Sequence, residues 1–428
     1  MLKLLWFTNS LMPAVLDHIG APAIAHGPWM STLLDALVAD HDCRLCVVTC
    51  AVGVPTLSVT IDDVRYEVIG DRRKVSYWFP VPDHFQQYEE LVRAWGPDVI
   101  HIHGTEMNYG ALLAEGRLDQ PVVISLQGLI GPYAPHVYGN LTVTETIRAH
   151  SLMEVLRNTG LTSVARDYRK RGLREQRILR SAQVVLGRTE WDRAYAALVN
   201  PNAHYYHVDE MLRPAFHSSE WTLQKCERHT LIFTNCGAAI KGVETVLRSM
   251  KLLERKYPDI RARFAGRVSP QSGYGRHLRR YISALNLRDR VEWLGVLDDR
   301  AMAQHLLRSH LYITSTHIDN SPNSLAEAQL VGMPVLASYV GGIPSLIDHG
   351  HTGLMFPAGD EVTLADQIDK IFSGDGLAAA LGCAARVVAL RRHARDRVLG
   401  QLKNAYSVAI TGDFQDGDAA AESLAANV

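Results

Sequence analysis

The chain has 428 residues, of which 47% are hydrophobic and 21% are charged, with a formal net charge of −1 and a pI of about 7.0. This length and composition fit a globular protein of one to three domains with sizeable cores, and the even charge balance excludes the basic surplus of nucleic-acid binders. The apolar run Met1 to Phe7 is too short for a signal peptide, and no stretch approaches the roughly 18 apolar residues of a membrane span. We therefore expect a cytoplasmic protein.

The first half of the chain alternates short apolar runs with helical patterns. The runs are continuously apolar rather than alternating, which favours a parallel sheet covered by helices on both faces. Ligands of such sheets bind beyond the carboxyl ends of the strands, where His101 and His103 lie. The predicted strands are 2–7, 43–50, 64–69, 98–104, 122–126 and 184–186, and the predicted helices include 27–37 and 191–198.

Metal-ligand spacings occur twice near residue 40. Cys43 and Cys46 have zinc-like spacing, but they lie inside an apolar run and no second Cys/His pair follows at finger spacing. Buried reduced cysteines are the better interpretation. Asp40 and Asp42 have the D-x-D spacing of a metal motif, but they fall in a turn away from the strand carboxyl ends. We expect no metal site.

A basic helical stretch runs from 166 to 180, with seven Arg or Lys residues against Asp167 and Glu175. One interpretation is a solvated helix face. The other is a contact with an anionic membrane surface, where a lipid-linked acceptor would lie.

The periodicity breaks after His207, and residues 213–224 are predicted to be a linker. A second alternation of strands and helices follows, which predicts a second α/β domain. The predicted strands there are 230–233, 262–265, 291–294, 311–314 and 335–337, and the predicted helices are 243–256, 276–285, 325–331 and 395–408.

The most informative segment is 318–329, between a predicted strand and a predicted helix. Two carboxylates, Asp319 and Glu327, lie eight residues apart, the first in the loop and the second on the helix. Ser321 is a favourable N-cap and Pro322 suits the first helical position. The amides of such a helix start favour an anion, and carboxylates accept hydrogen bonds from hydroxyls. A ligand with both phosphate and sugar hydroxyls would use all of these groups.

This segment resembles the family 4 glycosyltransferases, also called glycosyl transferases group 1, whose hallmark is E-x7-E, a helix ending in G-x-P-V, and a G-G turn. Here the pattern is D-x7-E, then 332–335 as G-M-P-V, Gly341-Gly342, and 348–354 as D-H-G-H-T-G-L. The resemblance implies the GT-B fold: two Rossmann-like α/β domains facing a cleft, with the last helix crossing back to the N-terminal domain. We assign residues 1–218 to an acceptor-side domain, 225–394 to a nucleotide-sugar domain, 395–411 to the crossover helix, and 412–428 to a frayed tail.

The resemblance also implies roles for residues. Glu327 would accept hydrogen bonds from the ribose, Asp319 would orient the donor sugar, and His103 would contact that sugar. Lys241, in a loop similar to the family's G-R-x4-K-G, would hold the diphosphate, since fixed cations stabilise the charge that grows on a leaving phosphate. The remaining expected donor-binding residues are Gly27, Asn235, Leu294, Gly295, Ser321, Asn323 and Ser324.

The chain departs from the family pattern at several of these positions. Cys236 stands where the family has an arginine, Pro28 stands where it often has a second glycine, and Gln127 stands where relatives often have histidine. A thiol cannot replace a guanidinium. We therefore hypothesise that Arg267, at the end of a neighbouring strand, supplies the second cation to the diphosphate.

The resulting expectation is a retaining, metal-independent hexosyltransferase-type enzyme of polysaccharide or glycoconjugate biosynthesis. It would use a nucleoside-diphosphate sugar as co-substrate, no cofactor, and a hydroxyl acceptor, with a lipid-linked glycan and a peripheral contact with the inner membrane surface as options. Two alternatives stay open: a sugar-nucleotide epimerase of the same fold, and a non-catalytic nucleotide-sugar-binding partner of another transferase.

Overall fold

The computed structural model describes residues 1–21, 28–71 and 82–414. These residues form two compact units. Unit 1 consists of Met1–Gly131, Lys170–Met211 and the segment from His393 onward, and unit 2 consists of Pro132–Arg169 and Leu212–Arg392. Residues 132–169, which the sequence analysis placed in the first domain, thus group with unit 2. Most of the expected tail, from 415 on, lies outside the described residues.

The strands of unit 1 form one sheet and those of unit 2 another. The strands are β1 (Leu2–Thr8), β2 (Cys43–Val52), β3 (Leu57–Ile61), β4 (Val64–Asp71), β5 (Val99–His103), β6 (Val122–Ser125), β7 (Val184–Gly187), β8 (His204–His207), β9 (Glu227–Phe233), β10 (Arg261–Ala265), β11 (Val291–Gly295), β12 (Ser309–Thr314), β13 (Val335–Ser338) and β14 (Leu354–Phe356).

The helices fill the connections between these strands. They are α1 (Pro13–His18), α2 (Pro28–Ala39), α3 (Pro82–Trp95), α4 (Gly110–Ala114), α5 (Ile130–Tyr133), α6 (Val143–Arg148), α7 (Leu152–Arg157), α8 (Leu161–Ser181), α9 (Glu190–Val199), α10 (Pro214–His217), α11 (Val243–Leu253), α12 (Gly273–Ala284), α13 (Asp299–Arg308), α14 (Asn323–Leu330), α15 (Glu361–Ser373), α16 (Asp375–Arg392) and α17 (Arg395–Thr411).

The sheet of unit 1 has the strand order β3-β4-β2-β1-β5-β6-β7-β8. Its pairings are parallel except for the hairpin of β3 and β4, which turns through Asp62 and Asp63, both at positive φ. The sequence analysis did not predict β3 or β8. Strands β1 and β5 are central in the sheet and buried over much of their length. His103 is the last residue of β5, so it lies buried at the carboxyl edge of the sheet.

Helix α17 completes the core of unit 1. Its apolar side chains pack beside those of β1, β2 and α2 in one buried cluster. The hydroxyl of Tyr406 accepts a hydrogen bond from Trp6 Nε1 at 3.0 Å and lies 2.7 Å from His101 Nδ1. The last described helix is therefore part of the N-terminal unit.

The sheet of unit 2 is parallel throughout, in the order β11-β10-β9-β12-β13-β14. The prediction of two α/β units built on parallel strands is confirmed. Because all strands of this sheet run the same way, the loops after β9, β10, β11 and β12 emerge at the same edge. Most of the candidate donor-binding residues lie on those loops.

Within the described ranges no single helix is both long enough and apolar enough to cross a bilayer. Helices α15 and α16 reach that composition only when taken together, and the chain bends by 100° between them.

Candidate functional site

Two of the predicted residues form an ion pair at the carboxyl edge of the unit 2 sheet. Lys241 Nζ lies 2.6 Å from Asp319 Oδ2, and both side chains are largely buried. Lys241 ends a 3₁₀ turn after β9, and Asp319 lies in the loop after β12. Since β9 and β12 are neighbours in the sheet, the fold brings together two residues that are 78 positions apart.

The backbone around Lys241 explains the glycine that follows it. The His317 amide donates to the Ile240 carbonyl at 2.8 Å, and Ser315 Oγ donates to the Gly242 carbonyl at 2.7 Å. Gly242 has a φ of +70°, and a Cβ there would lie 2.2 Å from the Ser315 carbonyl oxygen. Only glycine fits this close approach, which locks the lysine loop onto the loop that carries Asp319.

A second glycine holds Asp319 from the other side. Gly341 has a φ of +51°, and a Cβ there would lie 2.1 Å from the Asp319 carbonyl oxygen, which also accepts the Gly342 amide at 3.0 Å. Tyr133 completes the arrangement, because its hydroxyl accepts the Asn320 amide at 2.8 Å and lies 3.4 Å from Asp319 Oδ1. No sequence pattern indicates Tyr133, since it is 186 residues away from Asp319.

Glu327 lies on α14 and is only 5% exposed. Its Oε1 accepts two hydrogen bonds from Arg213, from Nε at 3.0 Å and from Nη2 at 2.6 Å. Burial raises the pKa of Glu327 to about 7, and the Arg213 cation opposes that rise. The Arg213 guanidinium also lies 4.7 Å from the centre of the Phe216 ring, which restricts its position. The sequence analysis had assigned Arg213 to a linker.

The start of α14 differs from the prediction. The helix begins at Asn323 with Pro322 as N-cap and no side-chain cap, because the ψ of 114° at Pro322 lies outside the helical range. The prediction of Ser321 as N-cap and Pro322 as first helical residue is therefore wrong. Ser324 Oγ instead accepts hydrogen bonds from Thr234 Oγ1 and from the Tyr312 hydroxyl, both at 2.9 Å.

Cys236 cannot act as a phosphate ligand, because its side chain is buried and carries no positive charge. Its thiol is fully buried and donates to the Ala265 carbonyl at 3.2 Å, and burial raises its pKa to about 12. The neighbouring Asn235 is exposed and has a left-handed φ of 58°. A neutral thiol thus occupies the position where the family pattern has an arginine.

Arg267 follows β10 at the same edge of the sheet. Its carbonyl oxygen would lie 2.2 Å from a Cβ at Gly237, so the Arg267 backbone packs directly on the loop that leads to Lys241. The Arg267 side chain is exposed. Next to it, the Gly266 amide donates to the Gly295 carbonyl at 2.7 Å, and Gly295 ends β11 with a φ of +69°. Arg267 therefore lies on the loop after β10, and Leu294 and Gly295 lie at the end of the neighbouring strand β11.

His103, which the resemblance predicts to contact the donor sugar, belongs to unit 1. Its ring stacks on that of His101 at 3.8 Å and lies 4.5 Å from that of Trp6. Burial, together with the Arg188 cation, lowers the pKa of His103 to about 3. The imidazole is therefore neutral at physiological pH and offers one donor and one acceptor.

A small cavity of about 30 Å³ adjoins His103. This volume holds about two water molecules. Arg188, which directly follows β7, lines it and donates to the Leu126 carbonyl at 3.1 Å and to Gln127 Oε1 at 2.9 Å, and it forms an ion pair with Glu210. The position of Arg188 at a strand end was the signal that could have identified it from sequence.

The remaining points concern one predicted residue, Gly27, and one group of residues that was not predicted. Gly27 lies outside the described residues. Of the described residues, Cys50, Asp71 and His84 form a buried group whose potential metal-ligating atoms all lie within 4.8 Å of one another, with His84 Nε2 at 3.4 Å from Asp71 Oδ2. The sequence analysis, which considered Cys43 and Cys46, did not anticipate this group.

Comparison with known proteins relates this geometry to a family. The profile described as "Glycosyl transferases group 1" matches residues 223–388. Among curated proteins, the chain is 26% identical over 174 residues to a 2-deoxystreptamine N-acetyl-D-glucosaminyltransferase of Niallia circulans, covering 41% of each chain. It is 30% identical over 125 residues to an N-acetyl-alpha-D-glucosaminyl L-malate synthase of Bacillus anthracis, covering 29% of this chain and 32% of that protein. These alignments span well under half of the relatives' length.

Solved structures match over nearly the whole chain. A sucrose-phosphate synthase from Thermosynechococcus elongatus has a TM-score of 0.76 at 16% identity, covering 96% of this chain and 100% of that one. HepE of Anabaena, solved in complex with UDP and glucose, has a TM-score of 0.66 at 16% identity, with coverages of 95% and 100%. The fold is the predicted GT-B fold.

Proposed function

We propose that this protein is a retaining glycosyltransferase, because residues 223–388 match the profile of the glycosyl transferases group 1. It transfers a sugar from a nucleoside-diphosphate donor to a hydroxyl group of an acceptor. The observation that carries the proposal is the Lys241–Asp319 pair, which places a cation and a carboxylate at the strand ends of unit 2. Glu327 lies on α14, the helix that follows the Asp319 loop.

In this proposal, Glu327 binds the ribose of the donor. Arg213 donates only to Oε1 of the carboxylate, and we assign Oε2 to the ribose hydroxyls. Carboxylates are strong acceptors for such hydroxyl groups. The complex of HepE with UDP supports a nucleoside-diphosphate donor for a chain of this fold.

Lys241 binds the diphosphate. Its charge is matched by Asp319 in the structure, and on donor binding the ammonium group exchanges part of that contact for phosphate oxygens. As the glycosidic bond breaks, negative charge grows on the leaving diphosphate, and a fixed cation stabilises it. The free amides of Asn323 and Ser324 at the start of α14 supply further donors, while the Ser324 hydroxyl is held by Thr234 and Tyr312.

Asp319 orients the donor sugar, with Tyr133 fixing its carboxylate. His103 stays a prediction from the family resemblance alone: its neutral imidazole, buried in unit 1 beside the small cavity, offers one donor and one acceptor. None of these roles calls for a metal ion, so we propose a metal-independent enzyme. We also propose that it is of the hexosyltransferase type. The N-acetyl-D-glucosaminyl transfer named for the Niallia circulans relative supports the transfer of a hexose-type sugar, and we place that transfer in glycoconjugate or polysaccharide biosynthesis.

Two measurements test the proposal. A thermal-shift screen of nucleotide sugars should identify a donor, which at about 100 times its dissociation constant stabilises the fold by roughly 2.7 kcal/mol. Incubation of that donor with hydroxyl acceptors should then give a glycoside whose anomeric configuration, read by NMR, matches that of the donor. A rearranged sugar nucleotide formed without acceptor, or binding without any turnover, would overturn the proposal.

A further inference from the structure

Helices α6 and α7 of unit 2 carry an unusual amount of exposed apolar surface. Neither helix contains a single buried residue. Six large apolar side chains over fourteen residues are 51–78% exposed, which is rare outside interaction surfaces. We call this set the apolar patch: Val143, Ile147, Leu152, Met153, Val155 and Leu156.

The spacing gathers these side chains onto one face of each helix. Val143 and Ile147 are four residues apart on α6, and Leu152, Val155 and Leu156 have spacings of three and four on α7. Residues at these spacings are neighbours on a helix surface. The patch therefore consists of two short apolar stripes, on helices that follow each other in the chain, rather than of six scattered side chains.

The apolar patch is held in place by the body of unit 2. Each helix begins with a capping box, Thr142 with Glu145 and Ser151 with Glu154. Both carboxylate oxygens of Glu154 also accept the Gly273 amide at the start of α12, each at 3.0 Å. The exposed face is thus presented on an ordered support, not on a loose loop.

The fully exposed charges of the segment that carries the patch have one sign. The acidic residues of 143–169 are Glu145, Glu154 and Asp167, and all three are partly buried. The charged side chains of this segment that stay exposed are all arginines, at 148, 157, 166 and 169. Two of them end the two helices.

From this combination we infer that the apolar patch and its arginines form a docking surface for an anionic lipid bilayer. The apolar side chains enter the boundary between headgroups and acyl chains, and the arginines contact lipid phosphates. A symmetric contact between two copies of the patch would instead bring each arginine against arginines of the other copy, which disfavours self-association. The surface is distinct from the donor-binding residues, so the inference stands or falls independently of the transferase activity.

The test is vesicle co-sedimentation of the full chain. We expect binding to vesicles that contain phosphatidylglycerol, little binding to phosphatidylcholine vesicles, and release as salt is raised. Leu152→Ser with Leu156→Ser should lower partition at least about tenfold, and Arg148→Gln with Arg157→Gln should lower it by about fivefold per charge. All four positions are exposed, so folding should be unaffected, as circular dichroism can verify.

Matched controls come from the same unit. Val362→Ser replaces an exposed apolar residue of α15, and Arg279→Gln with Arg280→Gln removes two exposed charges of α12. These variants should bind vesicles as the wild type does. Equal binding by the patch variants would overturn the inference, as would a patch-dependent dimer or protein complex, detected by light scattering, with no binding to lipid.

Discussion

Arg213 donates both of its hydrogen bonds to the same oxygen of Glu327, Oε1, and leaves Oε2 uncommitted to it. The two side chains are 114 residues apart in sequence, and both are mostly buried. Two charged donors on one oxygen hold that oxygen in place and favour the ionised carboxylate, which leaves the other oxygen for a ligand. We therefore treat Arg213 as a positioning residue for the proposed ribose contact.

Glu327→Gln should weaken the binding of a nucleoside diphosphate by about 10- to 150-fold, because hydrogen bonds to a charged group are worth about 1.5–3 kcal/mol. Isothermal titration calorimetry measures this directly. A variant that retains wild-type affinity and a wild-type melting curve would remove Glu327 from the donor site.

Nucleotide affinity should also depend on pH. Burial raises the pKa of Glu327 to about 7, Arg213 opposes that rise, and the nearby Asp299 adds to it. The adjacent Tyr312 stays neutral, because burial raises the pKa of its hydroxyl as well. Binding needs the carboxylate, so affinity should be constant above about pH 8 and fall about tenfold per pH unit below pH 7. His103 adds no second step near neutrality, since its pKa is about 3.

Arg213→Met tests the positioning role. Loss of the cation removes the effect that opposes burial, so the pH below which affinity falls should move upward, and Arg213→Lys should partly restore it. A purely structural role for Arg213 predicts a lower melting temperature with an unchanged pH profile, and that result would contradict our assignment.

Asp319→Asn should reduce transfer by about 100-fold, because a misplaced sugar costs about that much in rate. Binding of the bare nucleoside diphosphate should change little or become tighter, since Lys241 loses its partner at 2.6 Å and its full charge faces the phosphates. Turnover and calorimetry together separate the two effects. Asp319→Glu, one methylene longer, is the stricter variant: unchanged turnover and donor preference would show that the position does not touch the sugar.

Arg267→Gln should weaken nucleoside diphosphate binding about tenfold while leaving nucleoside binding unchanged, because hydrogen bonds to charged groups contribute about 1.5 kcal/mol or more. Cys236→Ala is the matched control, since the buried thiol contacts the Ala265 carbonyl and not the loop surface. Equal affinities for the wild type and Arg267→Gln would leave Lys241 and the helix amides as the diphosphate ligands.

Treatment with EDTA should leave the transfer rate unchanged, because the proposed chemistry relies on Lys241 and backbone amides. Cys50→Ser serves as the control for the buried group of Cys50, Asp71 and His84. A loss of rate with EDTA that zinc restores in the wild type, but not in Cys50→Ser, would locate a required metal in that group.

The positions of residues in the fold were easiest to predict from sequence where a local pattern marks a strand end or a helix start. Asp319, Lys241 and Glu327 each lie at a strand end or on the helix after it, and parallel strands bring such positions to one edge. The same reasoning identified the two α/β units and the helix from 395. What it missed was non-local: Tyr133 and Arg213 reach Asp319 and Glu327 across 186 and 114 residues, and no short spacing marks such contacts.

The error at the start of α14 has a different origin. Ser and Pro in succession fit both an N-cap followed by a first helical residue and a loop residue followed by an N-cap. The extended ψ at Pro322 decides for the second arrangement, and it is set by the loop packing around Asp319, Asn320 and Tyr133 rather than by local preference. Similarly, the grouping of residues 132–169 with unit 2 depends on contacts, such as that of Glu154 with Gly273, that sequence periodicity does not encode.

The contribution of α17 to the core of unit 1 also determines the order in which the chain can assemble during translation. Tyr406 bonds to Trp6 on β1, yet 399 residues are synthesised between them. All of unit 2 has been synthesised once Arg392 is added, before α17 leaves the ribosome. The N-terminal segment of unit 1 meanwhile keeps part of its apolar surface uncovered. Chaperone dependence should therefore concentrate on unit 1, the unit that is begun first and finished last.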